Sequence, residues 1–241
     1  MDENRTMTKR ERKEARRLEK LANGSSAGGS NIFKWILLIG GCAIFIAAFG
    51  FIVFLIKQDQ NKPITLASTG YVRGSGGVTL VEFGDLQCPA CKAYEPFVRQ
   101  LSKDFKGKMK LVYKNFPLLS VHPNALLAAE AAVSAGNQGK FWEMHDWLYD
   151  NQDSWAGLTA ADAKAKMVSE AKDLKLSMDQ FNKDIDSSKT KDTVMATENE
   201  GVEIGVSATP TFYLDNKKIE NNPQNYDDFK KLVSSEISGT K

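Results

Sequence analysis

Two cysteines separated by two residues, Cys88 and Cys91, form the pair in this sequence that is best suited to chemistry. Pro89 follows Cys88 directly, and proline suits the first position of a helix because its missing N–H would have no partner there. Cys88 is therefore predicted to cap a helix, with its sulfur facing the free N–H groups of Ala90 and Cys91 and the positive end of the helix dipole. A cysteine in such a motif has a pKa of about 3.5–7.5 instead of about 8.5. The spacing predicts a dithiol–disulfide couple in which Cys91 lies deeper than Cys88.

A strand and a turn are predicted to carry the pair to the start of that helix. Residues 78–83 are β-branched and aromatic enough for a central strand, and Gly84 and Asp85 break it. The helix that follows has apolar side chains at helical spacing, at Ala93, Tyr94, Phe97, Val98 and Leu101. This strand–turn–helix context favours a redox-active pair over a chance match of Cys-x-x-Cys.

The chain beyond this helix predicts an α/β fold. A second strand is expected at 109–115, and the apolar period is then helical over about 80 residues. Helices in that stretch are expected to begin at five places: near Pro123, near Lys140, after the caps Thr159 and Ser177, and near Lys189. Residues 208–214 return to a strand, 217–219 pair back as a hairpin, and 226–237 form a closing helix. We therefore predict one sheet with a helical insertion at about 118–204.

Charge is distributed unevenly along the 241 residues, whose formal net charge is +2. Residues 1–34 hold 9 Lys or Arg against 5 Asp or Glu, whereas the remainder holds 23 against 25. The basic surplus belongs to the N-terminal tail, so the predicted globular part has no polycationic face for nucleic acid.

An uncharged run at residues 35–56 predicts a transmembrane helix. Its 22 residues rise about 33 Å as a helix, enough to cross a bilayer core of about 30 Å. Lys34 ends a basic tail before the run, so the positive-inside rule places residues 1–34 in the cytoplasm and the rest outside. A cleaved signal peptide is the alternative, but the run is long for one and no clear cleavage site follows it. Residues 57–77 are then a polar linker, and residues 78–241 form the extracytoplasmic domain.

The third cysteine, Cys42, lies inside this apolar run. Packing within the span is the simpler interpretation of Cys42, and acylation stays open. The globular part has no structural disulfide framework, so Cys88 and Cys91 are either functional or without a role.

From about residue 78 to residue 237 the sequence resembles the DsbA-like thiol–disulfide oxidoreductases of the thioredoxin superfamily. The resemblance rests on motifs that occur in the family's order: Val81-Glu82-Phe83, Cys88-Pro89-Ala90-Cys91, Phe116-Pro117-Leu118 with His122-Pro123, Gly139-Lys140-Phe141-Trp142-Glu143-Met144-His145-Asp146, and Gly205-Val206-Ser207-Ala208-Thr209-Pro210-Thr211-Phe212. It implies a thioredoxin fold with an inserted helical domain, preceded in this chain by the single transmembrane helix. A membrane anchor is common among relatives in bacteria that lack a typical periplasm.

The resemblance also implies roles for three residues near the motif. Cys88 is the exposed nucleophile and Cys91 the resolving sulfur. Glu82 matches the family's buried acid, which can relay a proton to or from Cys91 through water because burial raises the pKa of a carboxyl group. The alternative for Glu82 is a carboxylate paired with a lysine, such as Lys114.

Pro210 matches the superfamily's cis-proline. A cis bond turns the carbonyl and N–H of Thr209 toward an incoming peptide, which can add as a short β-strand beside Cys88. The alternative is an ordinary trans proline at the start of a strand.

The dipeptide between the cysteines, Pro89-Ala90, departs from the family's most oxidising members, which have a histidine there. Ala90 offers the Cys88 thiolate neither a side-chain hydrogen bond nor a positive charge, and Asp85 is expected to oppose the thiolate further. We therefore expect a reduction potential between about −120 mV, as in DsbA, and about −270 mV, as in thioredoxin.

Together these expectations describe a membrane-anchored disulfide oxidase. It acts as a monomer on reduced secreted or cell-surface proteins, needs no cofactor or metal, and is re-oxidised by the quinone-linked membrane partner that the resemblance implies. A reductase or isomerase would use the same pair with Cys88 attacking, but isomerases of this kind are typically dimers and the sequence has no evident dimerisation segment.

Two remoter alternatives are a zinc site, completed by His122 and His145, and a non-catalytic peptide-binding module. The aromatic residues that such a module could use are at helical spacing and are expected to form the core of the insertion: Phe141, Trp142, Trp147, Tyr149 and Trp155.

Overall fold

The computed structural model describes residues 8–23, 36, 38, 39, 45–52 and 66–239, and the chain divides into two compact units, 1–63 and 64–241. In the first unit, helix α1 spans Lys9–Asn23. The N–H and Oγ1 of Thr8 donate to the Glu11 carboxylate at 2.7 and 3.0 Å, which caps the start of this helix. Residues 8–22 are exposed to solvent.

Much of the predicted transmembrane segment, residues 35–56, lies outside the described residues, as does the first part of the predicted linker, residues 57–65. Of that segment, residues 36, 38, 39 and 45–52 are described, and all of them are helical. Across the described part of the chain, no helix is both long enough and apolar enough to cross a bilayer.

The second unit is built on a sheet that contains five strands among the described residues, in the order β1-β3-β2-β4-β5. The strands are β1 Tyr71–Gly74, β2 Val78–Gly84, β3 Met109–Asn115, β4 Thr211–Leu214 and β5 Lys217–Lys218. Strand β2 runs parallel to β3 and antiparallel to β4, and β1 and β5 add antiparallel edges. Six of the seven residues of β2 are buried, which confirms the predicted central strand.

Strand β1 lies in the predicted linker, and the linker prediction is wrong for residues 66–77. Tyr71 of β1 pairs with Tyr113 of β3, and Leu66 in the preceding 3₁₀ turn is fully buried. Gly70 has a φ of +100°, and a Cβ there would lie 2.6 Å from the carbonyl oxygen of Tyr113. An edge strand of four residues between glycines has too little periodicity to be recognised from the sequence.

Eight helices belong to the described part of the second unit: α2 Pro89–Asp104, α3 Ala125–Gly136, α4 Phe141–Asp150, α5 Gln152–Trp155, α6 Ala160–Asp173, α7 Met178–Ile185, α8 Ser188–Glu203 and α9 Tyr226–Gly239. Helices α3 to α8 lie between β3 and β4 and form the helical insertion. The five predicted starts agree with observed helices to within two residues, whereas α5, with only four residues, was not predicted. The Thr159 cap is confirmed, since its side chain accepts the N–H of Asp162.

Three of the four apolar clusters among the described residues position the cysteine pair. Helices α2 and α9 cover one face of the sheet, where Val98 and Phe229 pack with Leu80. A second cluster, around Phe83 and Phe116, contains residues of β2, β3 and β4 and of the segments next to them. The third belongs to the insertion but also includes Leu86, Cys88, Cys91 and Tyr113. The cysteine pair therefore lies where the sheet and the insertion meet.

Candidate active site

The turn after β2 places Cys88 at the N-cap of α2, as the sequence predicts, with φ −73° and ψ 124° in the extended region. Pro89 occupies the start of the helix, and the N–H of Lys92 donates to the Cys88 carbonyl at 3.1 Å. Both cysteines are free thiols, but Cys88 is 6% exposed whereas Cys91 is fully buried. Both cysteines are therefore buried, Cys91 completely, so the expectation of an exposed Cys88 is corrected.

Four contacts lower the pKa of Cys88 to about 5, against the opposing effect of burial. The largest is a hydrogen bond from the Cys91 thiol; the others come from the Thr209 side chain and from the N–H groups of Cys91 and Ala90. These two N–H groups make no complete capping bond to the sulfur. They act on the thiolate as dipoles at the positive end of α2, and Ala90 contributes through its backbone alone.

Cys91 is affected in the opposite direction. Burial raises its pKa well above the ordinary value, and the bond to Cys88 and the charges of Glu82 and Cys88 raise it further. The N–H of Asp85 donates to Cys91 Sγ at 3.5 Å and lowers the pKa, but this effect is outweighed. At neutral pH the reduced pair therefore holds a thiolate at Cys88 and a thiol at Cys91.

The loop before β4 brings Thr209 to the cysteine pair, 121 residues away in sequence. The Thr209–Pro210 bond is cis, so the trans alternative is excluded. The Cys88 thiol donates to the Thr209 carbonyl at 3.6 Å, and the Pro210 carbonyl accepts from Asn222 Nδ2 at 2.8 Å. Thr209 Oγ1 is buried with no hydrogen-bond partner among the described residues. A thiolate can accept from this hydroxyl, which is why Thr209 lowers the pKa of Cys88.

Thr209→Val is expected to raise the pKa of Cys88 by about one unit, because a hydrogen bond to a charged group contributes about 1.5 kcal/mol. The measurement is a pH titration of the ultraviolet absorbance of the Cys88 thiolate. Thr211→Val is the matched control, since that hydroxyl donates to the Ala208 carbonyl at 2.7 Å instead. Equal titrations of Thr209→Val and the native protein would contradict the assignment.

Glu82 is 1% exposed, and both of its carboxylate oxygens lack a hydrogen-bond partner among the described residues. Burial, and then the charges of Glu95 and Cys88, raise its pKa well above the usual value. The alternative of a pair with Lys114 is wrong, because Lys114 Nζ donates to Glu200 at 2.6 Å and also to Thr69. Glu82 is thus a buried acid with a raised pKa, electrostatically coupled to both cysteines.

Two tyrosines that were not predicted as site residues belong to the buried environment of Glu82 and the cysteines. The hydroxyls of Tyr113 and Tyr149 lie 3.1 Å apart, and Tyr149 also donates to the Asp85 carbonyl at 3.3 Å. Burial raises the pKa of both well above 10, and the charges of Glu82 and Cys91 add to this. Tyr149 belongs to the aromatic residues expected in the core, and nothing in their spacing indicates that one of them reaches the cysteines.

Asp85, which was expected to oppose the Cys88 thiolate, is engaged by other groups. Its carboxylate is buried and accepts three hydrogen bonds, one of them from His122 Nδ1 at 2.7 Å. His122 is therefore tied to the turn before α2 and not to a metal with the cysteines.

His145 belongs to a different cluster, with Glu95 and Asp146. These are the acidic and histidine groups among the described residues that lie close enough to hold a metal, within 4.8 Å, and the group contains neither cysteine. Guanidinium groups already bind its carboxylates: Arg73 lies 2.6 Å from Asp146 and Arg99 3.1 Å from Glu95. The cluster is thus an ion-pair network beside α2, and the zinc alternative for the cysteine pair gains no ligand from it.

Comparison with known proteins agrees with this geometry. The sequence profile of the family described as "Thioredoxin" matches residues 70–235. The chain is 27% identical over 216 residues to the "Probable disulfide bond formation protein D" of Bacillus anthracis, which covers 86% of this chain and 98% of that protein. It is also 37% identical over 195 residues to the "Na(+)/H(+) antiporter NhaA 1" of Salinispora arenicola, which covers 80% of this chain and 27% of that protein. The chain spans about a quarter of the length of such antiporter relatives.

Two solved structures show the same fold. BdbD from Bacillus subtilis in its oxidised form superposes with a TM-score of 0.60 at 26% identity, over 69% of this chain and 92% of that chain. Wolbachia pipientis alpha-DsbA1 superposes with a TM-score of 0.62 at 19% identity, over 75% of this chain and 96% of that chain, a likeness of fold alone. The chain belongs to the thioredoxin family, and within it to the DsbA-like members.

Proposed function

We propose that the protein oxidises dithiols of other proteins through a Cys88–Cys91 disulfide. A substrate thiolate attacks Cys88 Sγ, the Cys88–Cys91 bond breaks, and Cys91 leaves as a thiolate that takes up a proton. A second substrate thiolate then attacks the substrate sulfur of the mixed disulfide and releases Cys88 as a thiolate. The substrate gives up two electrons and gains a disulfide, and the enzyme pair becomes a dithiol.

The low pKa of Cys88 is the observation that carries this proposal. Its value of about 5 lies between about 3.5 in DsbA and about 7 in thioredoxin. A stable Cys88 thiolate favours the dithiol form, so it makes the disulfide oxidising and makes Cys88 a good leaving group. Because Ala90 adds no side-chain contact, the pair is expected to be less oxidising than that of DsbA.

The reduction potential is expected between about −120 and −270 mV, with a break in its pH dependence near pH 5. Below this pH two protons accompany two electrons, so the potential changes by about 59 mV per pH unit. Above it only Cys91 takes up a proton, and the slope falls to about 30 mV. Equilibration with glutathione buffers on both sides of pH 5 measures both quantities.

A potential at or below about −270 mV would contradict the oxidase and favour the reductase. A single slope through pH 5 would contradict the thiolate assignment to Cys88. A reductase or isomerase uses the same residues, with Cys88 as attacking thiolate and Cys91 as the resolving thiol.

Glu82 is proposed to donate a proton to the Cys91 thiolate during oxidation and to accept it during the reverse reaction. Its support is its own raised pKa and its electrostatic effect on Cys91, since the charge of Glu82 raises the pKa of that thiol. Thr209 and Pro210 are proposed to bind the substrate backbone as an added β-strand, supported by the contact between Cys88 and the Thr209 carbonyl.

The cellular setting is proposed from the sequence. The uncharged run at 35–56 and the basic residues before it support a single-pass anchor with the catalytic domain outside the cytoplasm. Substrates are then reduced secreted or cell-surface proteins met by a monomer, and a quinone-linked membrane protein re-oxidises the pair. Labelling of Cys88 in intact cells by a thiol reagent that does not cross membranes tests this topology.

A further inference from the structure

Asp85, three residues before Cys88, is a buried carboxylate with an unusually complete set of donors. Its Oδ1 accepts the N–H of Gln87 at 2.7 Å. Its Oδ2 accepts the N–H of Leu118 at 2.9 Å and Nδ1 of His122 at 2.7 Å. The side chain is fully buried. These bonds tie the turn between β2 and α2 to the loop that follows β3.

The backbone of the same residue contacts the cysteine pair. The Asp85 N–H donates to Cys91 Sγ at 3.5 Å, and the Asp85 carbonyl accepts the N–H of Cys88 at 3.0 Å. Because the side chain is held at both oxygens, the peptide groups on either side of Asp85 have little freedom to turn. The carboxylate therefore helps to hold the N–H that reaches Cys91, in a peptide group whose other side, the Gly84 carbonyl, accepts the N–H of Phe116 at 2.8 Å.

We propose that Asp85 is a positioning residue for disulfide exchange, whose carboxylate, held by His122 and the Leu118 N–H, aims the Asp85 N–H at the sulfur of Cys91. This inference rests on the proposed exchange reaction and assigns a further residue pair, Asp85 and His122, to it. Neither side chain touches the substrate in this assignment.

The position of the Asp85 N–H affects the chemistry of both sulfurs. The Asp85 N–H stabilises Cys91 as the leaving thiolate, and it also fixes the orientation of the Cys91 thiol. The bond from that thiol is the largest effect that lowers the pKa of Cys88. If the N–H turns away, Cys91 becomes a poorer leaving group and Cys88 a weaker acid.

The turn has other anchors that act independently of Asp85. Gln87 Oε1 accepts the N–H of Asn124 at 2.6 Å, and Gln87 Nε2 donates to the Ala156 carbonyl at 2.8 Å. Gln152 Nε2 donates to the Leu86 carbonyl at 2.8 Å. These bonds to the insertion are expected to keep the turn folded when the Asp85 carboxylate is altered.

The test is Asp85→Asn, which keeps the shape but turns one acceptor oxygen into a donor that faces an N–H. The acid dissociation constant of the Cys88 thiol is expected to fall about tenfold, and single-turnover oxidation of a dithiol peptide to slow about tenfold. The thiolate absorbance reports the first quantity. Asp153→Asn is the matched control, because Asp153 is an exposed carboxylate beside α2 that pairs with Lys92 at 2.7 Å.

His122 supplies the second test. His122→Ala removes the Nδ1 donor. The acid dissociation constant of Cys88 and the single-turnover oxidation rate are each expected to fall about threefold. His122→Asn is expected to restore them, because an amide N–H₂ can take the place of Nδ1. If Asp85→Asn does not fold, His122→Ala and His122→Asn together test the proposal.

Unchanged Cys88 titration and oxidation rate in folded Asp85→Asn and His122→Ala would overturn the proposal. The same holds if these variants lose thermal stability but keep the titration, since the pair would then be structural only. The titration of Cys88 needs no protein substrate, so failure of the native enzyme to oxidise proteins would refute the proposed function without deciding this test.

Discussion

Replacing Cys88 with serine is expected to abolish turnover of reduced, unfolded ribonuclease, with a loss of at least about a thousandfold. A serine hydroxyl cannot form the sulfur–sulfur bond through which electrons pass, and no other described residue offers a low-pKa sulfur. Insulin reduction measures the reverse reaction and is expected to fail equally.

Cys91→Ser separates the roles of the two sulfurs. Cys88 in this variant still reacts as a thiolate, but the resolving sulfur is missing, so mixed disulfides with substrate are expected to accumulate. The mixed disulfides are detected as enzyme–substrate complexes that a reducing agent separates. Cys42→Ser is the control. Because Cys42 lies outside the motif, this substitution is expected to leave turnover unchanged. An active Cys88→Ser enzyme, or trapping through Cys88→Ser instead of Cys91→Ser, would contradict the mechanism.

Glu82→Gln is expected to slow exchange by about a hundredfold, because a positioned acid or base typically contributes this much to proton transfer. The effect concerns the proton of Cys91, so it is expected in both directions of the reaction. In a plot of the single-turnover rate against pH, the change in rate that follows the ionisation of Glu82 is expected to be absent from the variant. A native rate in this variant would leave Glu82 without a role in proton transfer.

The same variant is expected to be more stable than the native protein at neutral and alkaline pH. The folded-state pKa of Glu82 is raised above its unfolded value, so the unfolded chain ionises first as the pH rises. Native stability is therefore full below the unfolded pKa of about 4.3 and is lost as the pH rises toward the folded pKa. Glutamine does not ionise, and the gain in the free energy of unfolding is expected to be about 1–3 kcal/mol at alkaline pH.

Denaturant unfolding at several pH values measures this gain. Glu143→Gln is the matched control, because Glu143 is exposed and pairs with Lys140 at 2.8 Å. A Glu82→Gln protein that is less stable than the native one at alkaline pH would show that the carboxylate is ionised and paired.

Local sequence determined the centre of this site. The order of Cys88 and Pro89 at the start of an apolar helical period is enough to place a sulfur at a helix N-terminus, because capping and the helix dipole act within one turn. For the same reason the central strand and most helix starts were predicted, since each depends on neighbours in the sequence.

Tertiary structure decided which distant groups meet the two sulfurs. Residue spacing does not show that Lys114 binds Glu200 and leaves Glu82 without a hydrogen-bond partner in the described part of the chain, or that the carboxylate of Asp85 is held by His122. These contacts join residues 37 to 86 positions apart, and they arise from the packing of the insertion on the sheet. A pattern of residues records which chemistry is available, whereas burial and partners, which set pKa values, exist only once the chain has folded.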